Sequence, residues 1–494
     1  MPLIEIKPPA GFVNHGTDLE SEGRWRDGSL VRWHEGSLRP VLGWADRFGS
    51  VMYAAPPRGM LAWESADPRT RWLAAGTYNK LYVASGPDVK LDITPVGFTA
   101  GIVDAAVNEG YGGGVYGSGF YGQPRQGTGT FSEATSWSMD TWGQYLVACS
   151  TTDGKIYEWQ LDDTQKAAAV ANAPVDNLGI VVTENRFLMA LGASGNPRRI
   201  SWCDFEDNTT WTAASTNQAG DVLLQTSGQI MSGLRMQGQT LVLTDQDAHR
   251  AIYVGAPFIF QFERVGSSCG LVARKAITDT PRGAMWMGQR GFFVYDGSSV
   301  SEIPCSVSDY VFGNINSSQI SKSWAVTNGQ NGEVWWFYPS STSNECDRYV
   351  AYDYAEGHWL IGELPRTSGV DRGVFASPVW GGENGRVYNH ETGFNYDGQS
   401  IFAETGPFRI GAGDNLAVLT ELIPDEINLG DVNMTIKSRL YPTAAEKDSG
   451  PYSMANPTSI RVQGRQLRMR LDGNELGPWR VGKFRFDVRQ GGRR

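Results

Sequence analysis

Cysteine and charged residues are scarce in this chain of 494 residues, and long apolar runs are missing. Its five cysteines are widely spaced and form no Cys-x-x-Cys pair, which argues against a disulfide framework and a zinc knuckle. No run approaches the roughly eighteen apolar residues that a membrane-spanning helix needs. The N-terminal residues also lack the charged segment and apolar core of a secretory signal. We therefore expect a protein that is made in the cytoplasm and does not insert into a membrane.

Helical periodicity and metal-ligand spacing are also nearly absent. The best candidate for a short amphipathic helix covers residues 164–173, and the rest of the chain favours strands. The five histidines show no His-Glu-x-x-His or comparable spacing, so the sequence predicts no metal site. Charged residues make up 19% of the chain, below the usual share of about 25%.

What the chain does contain is a repeated hairpin: an apolar, aromatic-rich run, a turn of Gly, Asn or Asp, and a second run that ends in Tyr or Trp. Alternation and turn chemistry of this kind are typical of β-hairpins. Copies begin near residues 71, 145, 186, 238, 283, 333 and 374. Most later starts are about 40 to 50 residues apart, the length of one four-stranded propeller blade. The sequence therefore predicts an all-β fold, a β-propeller of about six to eight blades.

The rhythm of the repeat divides the chain into three parts. Residues 1–57 form a lead-in with its own hairpin, and residues 58–402 hold the blades, with a Gly/Tyr-rich insertion at about 100–135. From residue 403 onward the rhythm fades and longer alternating strands appear. We expect residues 403–494 to form an additional C-terminal β domain that ends in a basic hairpin.

The Gly/Tyr tract at residues 110–122 contains Gly-x-Gly-x-x-Gly twice. Neither copy follows a buried strand or opens a helix, so the tract does not meet the structural requirements of a dinucleotide site. We expect an exposed loop whose aromatic side chains contact a partner subunit or line an opening. These candidate channel or partner residues are Tyr111, Tyr116, Phe120 and Tyr121.

Charge is distributed unevenly along the chain. Residues 461–494 carry nine arginines and Lys483 against three acidic residues, a net charge of +7, which leaves −17 on the rest of a chain whose total is −10. An acidic body repels phosphate and argues against tight, static DNA binding. In the last two strands, basic residues alternate with apolar ones, so one face should be apolar and the other basic. Three interpretations of the basic face stay open: it is simply solvated, it contacts DNA directly, or it docks on an acidic subunit. The candidate docking residues are Arg468, Arg470, Lys483, Arg485 and Arg489.

Three enzyme-like patterns occur without the surroundings that their chemistry needs. Gly266-Ser267-Ser268-Cys269-Gly270 matches the nucleophile-elbow pattern, with His358 and His390 as conceivable bases, but it lacks the strand-to-helix setting of that motif. The turns that begin at Asp153 and Asp353 resemble the Asp-containing turns of sialidases, yet their spacing differs. We therefore predict no catalytic residues and no cofactor, and we expect that the chain is not an enzyme. A receptor-binding or glycan-cleaving propeller, similar to a tailspike or sialidase, stays as the alternative.

Several segments together resemble the tail nozzle proteins of short-tailed bacteriophages, also called tail tubular protein B-like or phage stabilisation proteins. They include Gly23-Arg24-Trp25, Leu30-Val31-Arg32-Trp33 and Leu38-Arg39-Pro40, the hairpin from Ala75 to Val83 that leads to Asp92-Ile93-Thr94-Pro95, the residues 137–143 that follow the Gly/Tyr tract, and the closing Phe484-Arg485-Phe486-Asp487 with Gly491-Gly492-Arg493. The similarity covers nearly the whole chain, and its motifs are structural turns and anchors.

The resemblance implies a propeller-built structural virion protein that assembles as a hexameric ring at the head-to-tail interface. Its partners would be portal-side adaptor proteins, with tail fibre or spike proteins as further neighbours, and double-stranded DNA would pass transiently during ejection. We expect the acidic side chains and the Gly/Tyr loop to face the bore or its mouth, because cationic contacts to phosphate would slow the passage of DNA. The basic final hairpin would then meet the adaptor or a neighbouring subunit.

Overall fold

Apolar runs that alternate around tight turns build seven four-stranded antiparallel sheets arranged as the blades of a β-propeller. The computed structural model describes residues 3–66, 69–86, 89–107, 131–409, 415–425, 432–474 and 477–492. The innermost strand of each blade contacts that of the next, and the innermost strand of blade 7 contacts that of blade 1. The predicted propeller is confirmed, and its blade number lies within the predicted range.

The first four blades are each continuous in sequence and are ordered from the innermost to the outermost strand. Blade 1 consists of Gly59–Glu64, Arg71–Gly76, Leu81–Ala84 and Lys90–Asp92. Blade 2 consists of Trp137–Trp142, Tyr145–Ser150, Ile156–Trp159 and Ala168–Ala169. Blade 3 consists of Gly179–Val182, Leu188–Leu191, Arg199–Trp202 and Gly220–Leu223. Blade 4 consists of Ile230–Met236, Gln239–Thr244, Asp247–Gly255 and Ile259–Ser267.

Blades 5 and 6 follow the same order, whereas blade 7 takes its outermost strand from the N-terminal part of the chain. Blade 5 consists of Ile277–Thr280, Gly283–Met287, Phe292–Tyr295 and Val300–Ile303. Blade 6 consists of Trp324–Asn328, Glu333–Pro339, Cys346–Asp353 and His358–Glu363. Blade 7 consists of Ser368–Val370, Val379–Gly381, Val387–His390 and Trp44–Asp46. Residues 44–46 therefore join the two ends of the ring.

Beside the propeller lies a β sandwich to which both ends of the chain contribute. Its first sheet contains, in spatial order, Leu3–Ile6, Phe484–Gln490, Ala417–Ile423 and Thr458–Gly464. Its second sheet contains Trp25–Ser29, Phe402–Thr405, Gln466–Gly473, Val432–Arg439 and Lys447–Ser453. The predicted lead-in thus forms no separate unit, because its strands complete both sandwich sheets and blade 7.

The last two long strands alternate as predicted but do not form a hairpin. Leu467, Met469 and Leu471 are buried while the arginines between them face outward, and Phe484 and Phe486 are buried in the same way. The strands Gln466–Gly473 and Phe484–Gln490 belong to opposite sheets, so their apolar faces pack towards each other across the core. Because each strand must bury its apolar face, alternation determines which side of the strand faces the core. It does not determine which other strand is its neighbour in the sheet.

Short elements connect these sheets. A hairpin of Val31–His34 and Ser37–Pro40 lies between propeller and sandwich, and a ribbon of Ala106–Val107 and Phe131–Ser132 flanks residues 108–130. Helical turns in the described residues are Asp18–Ser21, Ala193–Gly195, Ser308–Phe312 and Ile320–Lys322. The prediction of a short helix at residues 164–173 is wrong, because this segment forms turns and the outermost strand of blade 2. One apolar cluster runs without interruption from blades 4–7 into the sandwich.

Candidate functional site

A cleft of about 540 Å³ opens where the hairpin of residues 31–40 meets blade 6. We call it the junction cleft. Its walls carry Arg32, His34, Glu333, Asp353 and Glu356, together with the aromatic rings of two tryptophans. Charged groups of both signs therefore converge on a partly apolar cleft, a combination that is typical of binding sites.

Arg32 is the centre of a buried ion network behind this cleft. Its guanidinium lies 2.9 Å from Glu333 Oε1 and 2.6 Å from Glu391 Oε1, and all three side chains are less than a tenth exposed. Trp335 Nε1 donates to Glu333 at 2.9 Å, and Asn328 Nδ2 donates to Glu391 at 2.8 Å. Glu333 belongs to blade 6 and Glu391 directly follows a strand of blade 7, so one arginine holds the hairpin on two blades.

The network contains one more carboxylate than cation, which affects its protonation. Burial raises the pKa of Glu333 to about 7, with Arg32 opposing and Glu391 reinforcing that shift. The folded chain therefore binds a proton at Glu333 at pH values where the unfolded chain, with an ordinary pKa near 4.5, has released it. Removing the proton leaves a buried negative charge that Arg32 must share between two carboxylates.

We expect the free energy of unfolding to fall as the pH rises from about 4.5 to about 7, by on the order of 3 kcal/mol from this group. Below this pH range Glu333 is protonated in both the folded and the unfolded chain, and above it Glu333 is ionised in both. Urea unfolding of the wild type and of Glu333→Gln across this range measures the effect. The variant should lack this part of the slope, and identical slopes would contradict the assignment to Glu333.

A second cluster lies at the blade 6 turn that borders the cleft. Asp353 ends one strand, His358 begins the next, and the two are partners across the hairpin. Asp353 Oδ1 accepts the N–H groups of Ala355 and Glu356 at 2.8 Å, which closes the turn. Asp353 Oδ2 lies 3.7 Å from His358 Nε2, and Glu356 Oε2 lies 4.0 Å from His358 Nδ1. Burial lowers the pKa of His358, which favours the neutral imidazole.

Buried cations mark one end of the propeller axis. Arg58, Arg274 and Lys322 each lie just before an innermost strand and are at most 8% exposed. Residues 101–107 and 131–136, which we call the axial ribbon, lie against them: Lys322 Nζ lies 2.5 Å from Asp104 Oδ1, and Arg274 Nε donates to Glu133 at 2.9 Å. The axial ribbon thus covers this end of the axis and positions the start and end of the Gly/Tyr insertion there.

Lys322→Met should loosen the axial ribbon, because it removes a buried cation that also contacts Glu345 at 3.0 Å and the Asn344 carbonyl at 2.7 Å. We expect amide hydrogen exchange to become about tenfold faster or more in residues 101–107 and 131–136. Mass spectrometry of deuterated peptides measures this effect. Lys447→Met, at an exposed position, is the matched control. Equal exchange in both variants would show that Lys322 does not hold the ribbon.

The site residues predicted from sequence fall into three groups: those outside the described residues, those paired with acidic residues of the same chain, and two arginines without such a pair. Tyr111, Tyr116, Phe120 and Tyr121 lie outside the described residues. Arg468 and Arg470 are half-buried and neutralised within the chain: Arg468 contacts Asp18 and Glu446, and Arg470 contacts Asp472 and stacks 3.7 Å above the centre of the Phe402 ring. Lys483 pairs with Glu5 at 3.1 Å.

Arg485 and Arg489 differ from the other basic residues of the two strands. Both are exposed on the outer face of the first sandwich sheet. Across the part of the chain that the structure describes, no ion pair within 4 Å involves either of them. These two arginines are therefore the part of the predicted docking surface that is available to a neighbour.

The enzyme-like patterns are not brought together. Ser268 lies in a groove with Gln246, Arg290 and Glu302, and the described lining of that groove contains no histidine. His390 Nε2 accepts a hydrogen bond from Arg366 at 2.9 Å, and His358 lies in the blade 6 turn. The buried ion network and the blade 6 cluster were missed by sequence reasoning. Only the spacing Asp-x-x-Glu-x-His at a hairpin turn could have indicated the cluster.

No protein-family model and no curated protein sequence matches the chain. Among solved structures, a streptogramin B lyase is similar at 10% identity and a TM-score of 0.40, covering 68% of this chain and 95% of that one. A catalytically inactive virginiamycin B lyase from Staphylococcus aureus, solved with quinupristin, is similar at 10% identity and a TM-score of 0.41. The match covers 70% of this chain and 97% of that one. PorZ, a surface component of the type-IX secretion system of Porphyromonas gingivalis, is similar at 9% identity and a TM-score of 0.36. The match covers 83% of this chain and 48% of that one.

These similarities correct one prediction. The expectation that the chain is not an enzyme is contradicted, because two of these similar structures are those of a lyase. At this level of identity and TM-score the likeness assigns neither a reaction nor a substrate to the chain. Within the described residues, no helix is long and apolar enough to cross a membrane.

Proposed function

We propose that the chain is a tail nozzle subunit of a short-tailed bacteriophage, a structural virion protein that extends the DNA channel below the portal and adaptor. Copies of it form a ring, hexameric by the resemblance of the sequence, and take part in genome retention and ejection. The proposal rests first on the segments that resemble nozzle proteins, and on where several of those segments lie in the fold.

The observation that carries the proposal is that resembling segments join the propeller to the sandwich. Trp25 begins a strand of the second sandwich sheet, and the Leu30 N–H donates to the Tyr349 hydroxyl of blade 6 at 2.8 Å. Leu38 pairs with Val481, and Phe484 pairs with Ile6 in the first sandwich sheet. With a continuous apolar core beneath them, these contacts favour one stiff body, which a subunit that confines pressurised DNA requires.

The axial ribbon at one end of the propeller supports an assembly of several subunits. Buried cations and the axial ribbon cover one end of the propeller axis, so a conduit for duplex DNA has to lie between copies of the chain. A ring of this kind needs a head-to-tail interface whose rotation closes. Arg485 and Arg489 supply an exposed basic surface for an acidic neighbour, either another subunit or the adaptor.

Charge supports the same role. The net charge of −17 outside residues 461–494 gives the body an acidic character, and an acidic lumen keeps phosphate from adhering. In this arrangement the acidic side chains and the Gly/Tyr tract face the bore or its mouth. Tail fibre or spike proteins are further expected neighbours in the virion.

Native mass spectrometry of the purified chain, alone and with the portal and adaptor proteins, tests the proposal. We expect a closed ring on the adaptor, and reconstruction of the virion should place this chain around the axial channel. Absence of the chain from the tail axis would overturn the proposal. A glycan-release assay on the same sample tests the alternative of a glycan-cleaving propeller, for which release of reducing sugar would be the positive result.

A further inference from the structure

The blade 6 turn brings together three potential metal ligands around a buried imidazole. One ligand atom each from Asp353, Glu356 and His358 lies within 4.8 Å of the others. His358 is 8% exposed, and its Nε2 has no hydrogen-bond partner among the described residues. A buried nitrogen without a partner is unfavourable unless something else satisfies it.

The separations fit a shared cation better than direct hydrogen bonds. His358 Nε2 and Asp353 Oδ2 are 3.7 Å apart, beyond hydrogen-bonding range. Two ligands that each lie about 2.1 Å from a tetrahedral metal are about 3.4 Å apart, which is close to this separation. Asp353 Oδ1 is already used by the turn, so Oδ2 is the oxygen left to bind a metal.

The donor set indicates the kind of cation. One imidazole with two carboxylates suits zinc or manganese, whereas calcium and magnesium prefer oxygen ligands alone. Glu356 is the exposed member of the cluster and lines the junction cleft, which offers a route from solvent. We propose that Asp353, Glu356 and His358 form a binding site for a divalent transition-metal ion.

A cation at this place would secure the N-terminal part of the chain on blade 6. Glu356 Oε1 also accepts the Glu35 N–H at 2.9 Å and lies 3.5 Å from His34 Nδ1. A Cβ placed on Gly11 would come within 2.6 Å of His358 Cβ, so residues 11–12 pack directly on the histidine. Binding would therefore stabilise the contacts of both N-terminal segments with the propeller.

Isothermal titration calorimetry of the tag-free, EDTA-treated full chain with zinc chloride, and separately with manganese chloride, tests the site. We expect one ion per chain for at least one of the two metals and a higher melting temperature on binding. Asp353→Asn, which keeps the Oδ1 of the turn, and His358→Gln should each weaken binding about tenfold or more. Glu356→Gln, at an exposed position, should do the same with little risk to folding.

Asp296→Asn is the matched control, because Asp296 closes the corresponding turn of blade 5 by accepting the Ser298 and Ser299 N–H groups at 2.8 and 2.9 Å. This variant should bind the metal like the wild type. Absence of saturable binding for both metals would overturn the proposal. So would stoichiometric binding that Glu356→Gln and the other two variants leave unchanged, since the ion would then lie elsewhere.

Discussion

Replacement of Arg32 by alanine is expected to lower the free energy of unfolding by about 3–5 kcal/mol. The substitution leaves Glu333 and Glu391 facing each other in a buried site, with side chains that are each 2% exposed. Urea unfolding followed by tryptophan fluorescence at pH 7.5 measures the loss.

Two comparisons show whether the loss comes from burial of unpaired charge. Arg71→Ala removes an arginine whose partner, Glu64, lies on the surface, and it should leave the unfolding free energy nearly unchanged. The double variant Arg32→Ala with Glu333→Gln should recover part of the stability, because one unpaired charge is gone. If Arg32→Ala resembled Arg71→Ala, the network would contribute little and the hairpin would be held by packing alone.

The hairpin repeat was predictable because its signals are local. The predicted starts near residues 71, 145, 186, 238, 283, 333 and 374 correspond to the second strands of the seven blades. In each blade the second and third strands lie in the middle of the sheet and follow each other directly in the chain. In blade 2, Gly154 at that turn has φ +59°, which favours glycine. Within a segment of about fifteen residues, the alternation of apolar residues, the turn residues and the burial pattern all indicate the same hairpin.

The joins between distant parts of the chain had no such signal. Trp44–Asp46 pairs with Val387–His390, more than 300 residues away, and Leu3–Ile6 pairs with Phe484–Gln490. A three-residue strand carries too few alternating positions to identify its partner. The sequence therefore supported a separate lead-in, whereas the fold uses the same residues to close the ring and complete the sandwich.

The difference between local and long-range signals also explains which properties of the candidate site residues could be predicted. Alternation predicted that Arg468 and Arg485 face away from the core, and they do. It could not predict that Arg468 meets Asp18, far away in sequence, whereas Arg485 stays exposed. Likewise Arg32, Glu333 and Glu391 come from three distant segments, and nothing local in any of them indicates a shared ion network. Pairing of charges across the fold is a property of topology, which single-sequence patterns do not contain.

Trp44→Ala should destabilise the chain by about 3–5 kcal/mol, the range for truncating a buried tryptophan. Trp44 is 2% exposed, and its Nε1 donates to Asp397 at 2.6 Å. It also lies in the strand that closes the propeller, opposite His390 of blade 7. The lost packing should therefore weaken the contact between blades 7 and 1 as well as the local fold.

Differential scanning fluorimetry gives the overall effect of Trp44→Ala, and hydrogen exchange shows where it acts. We expect faster exchange in residues 368–370 and 387–390 of blade 7 and in residues 59–64 of blade 1, with little change in blades 3 and 4. Phe258→Ala is the control, since that ring is 77% exposed and its removal should hardly change the melting temperature. Uniformly faster exchange in all blades would mean that the ring opens as one cooperative unit, and exchange unchanged in blade 1 would contradict closure by this strand.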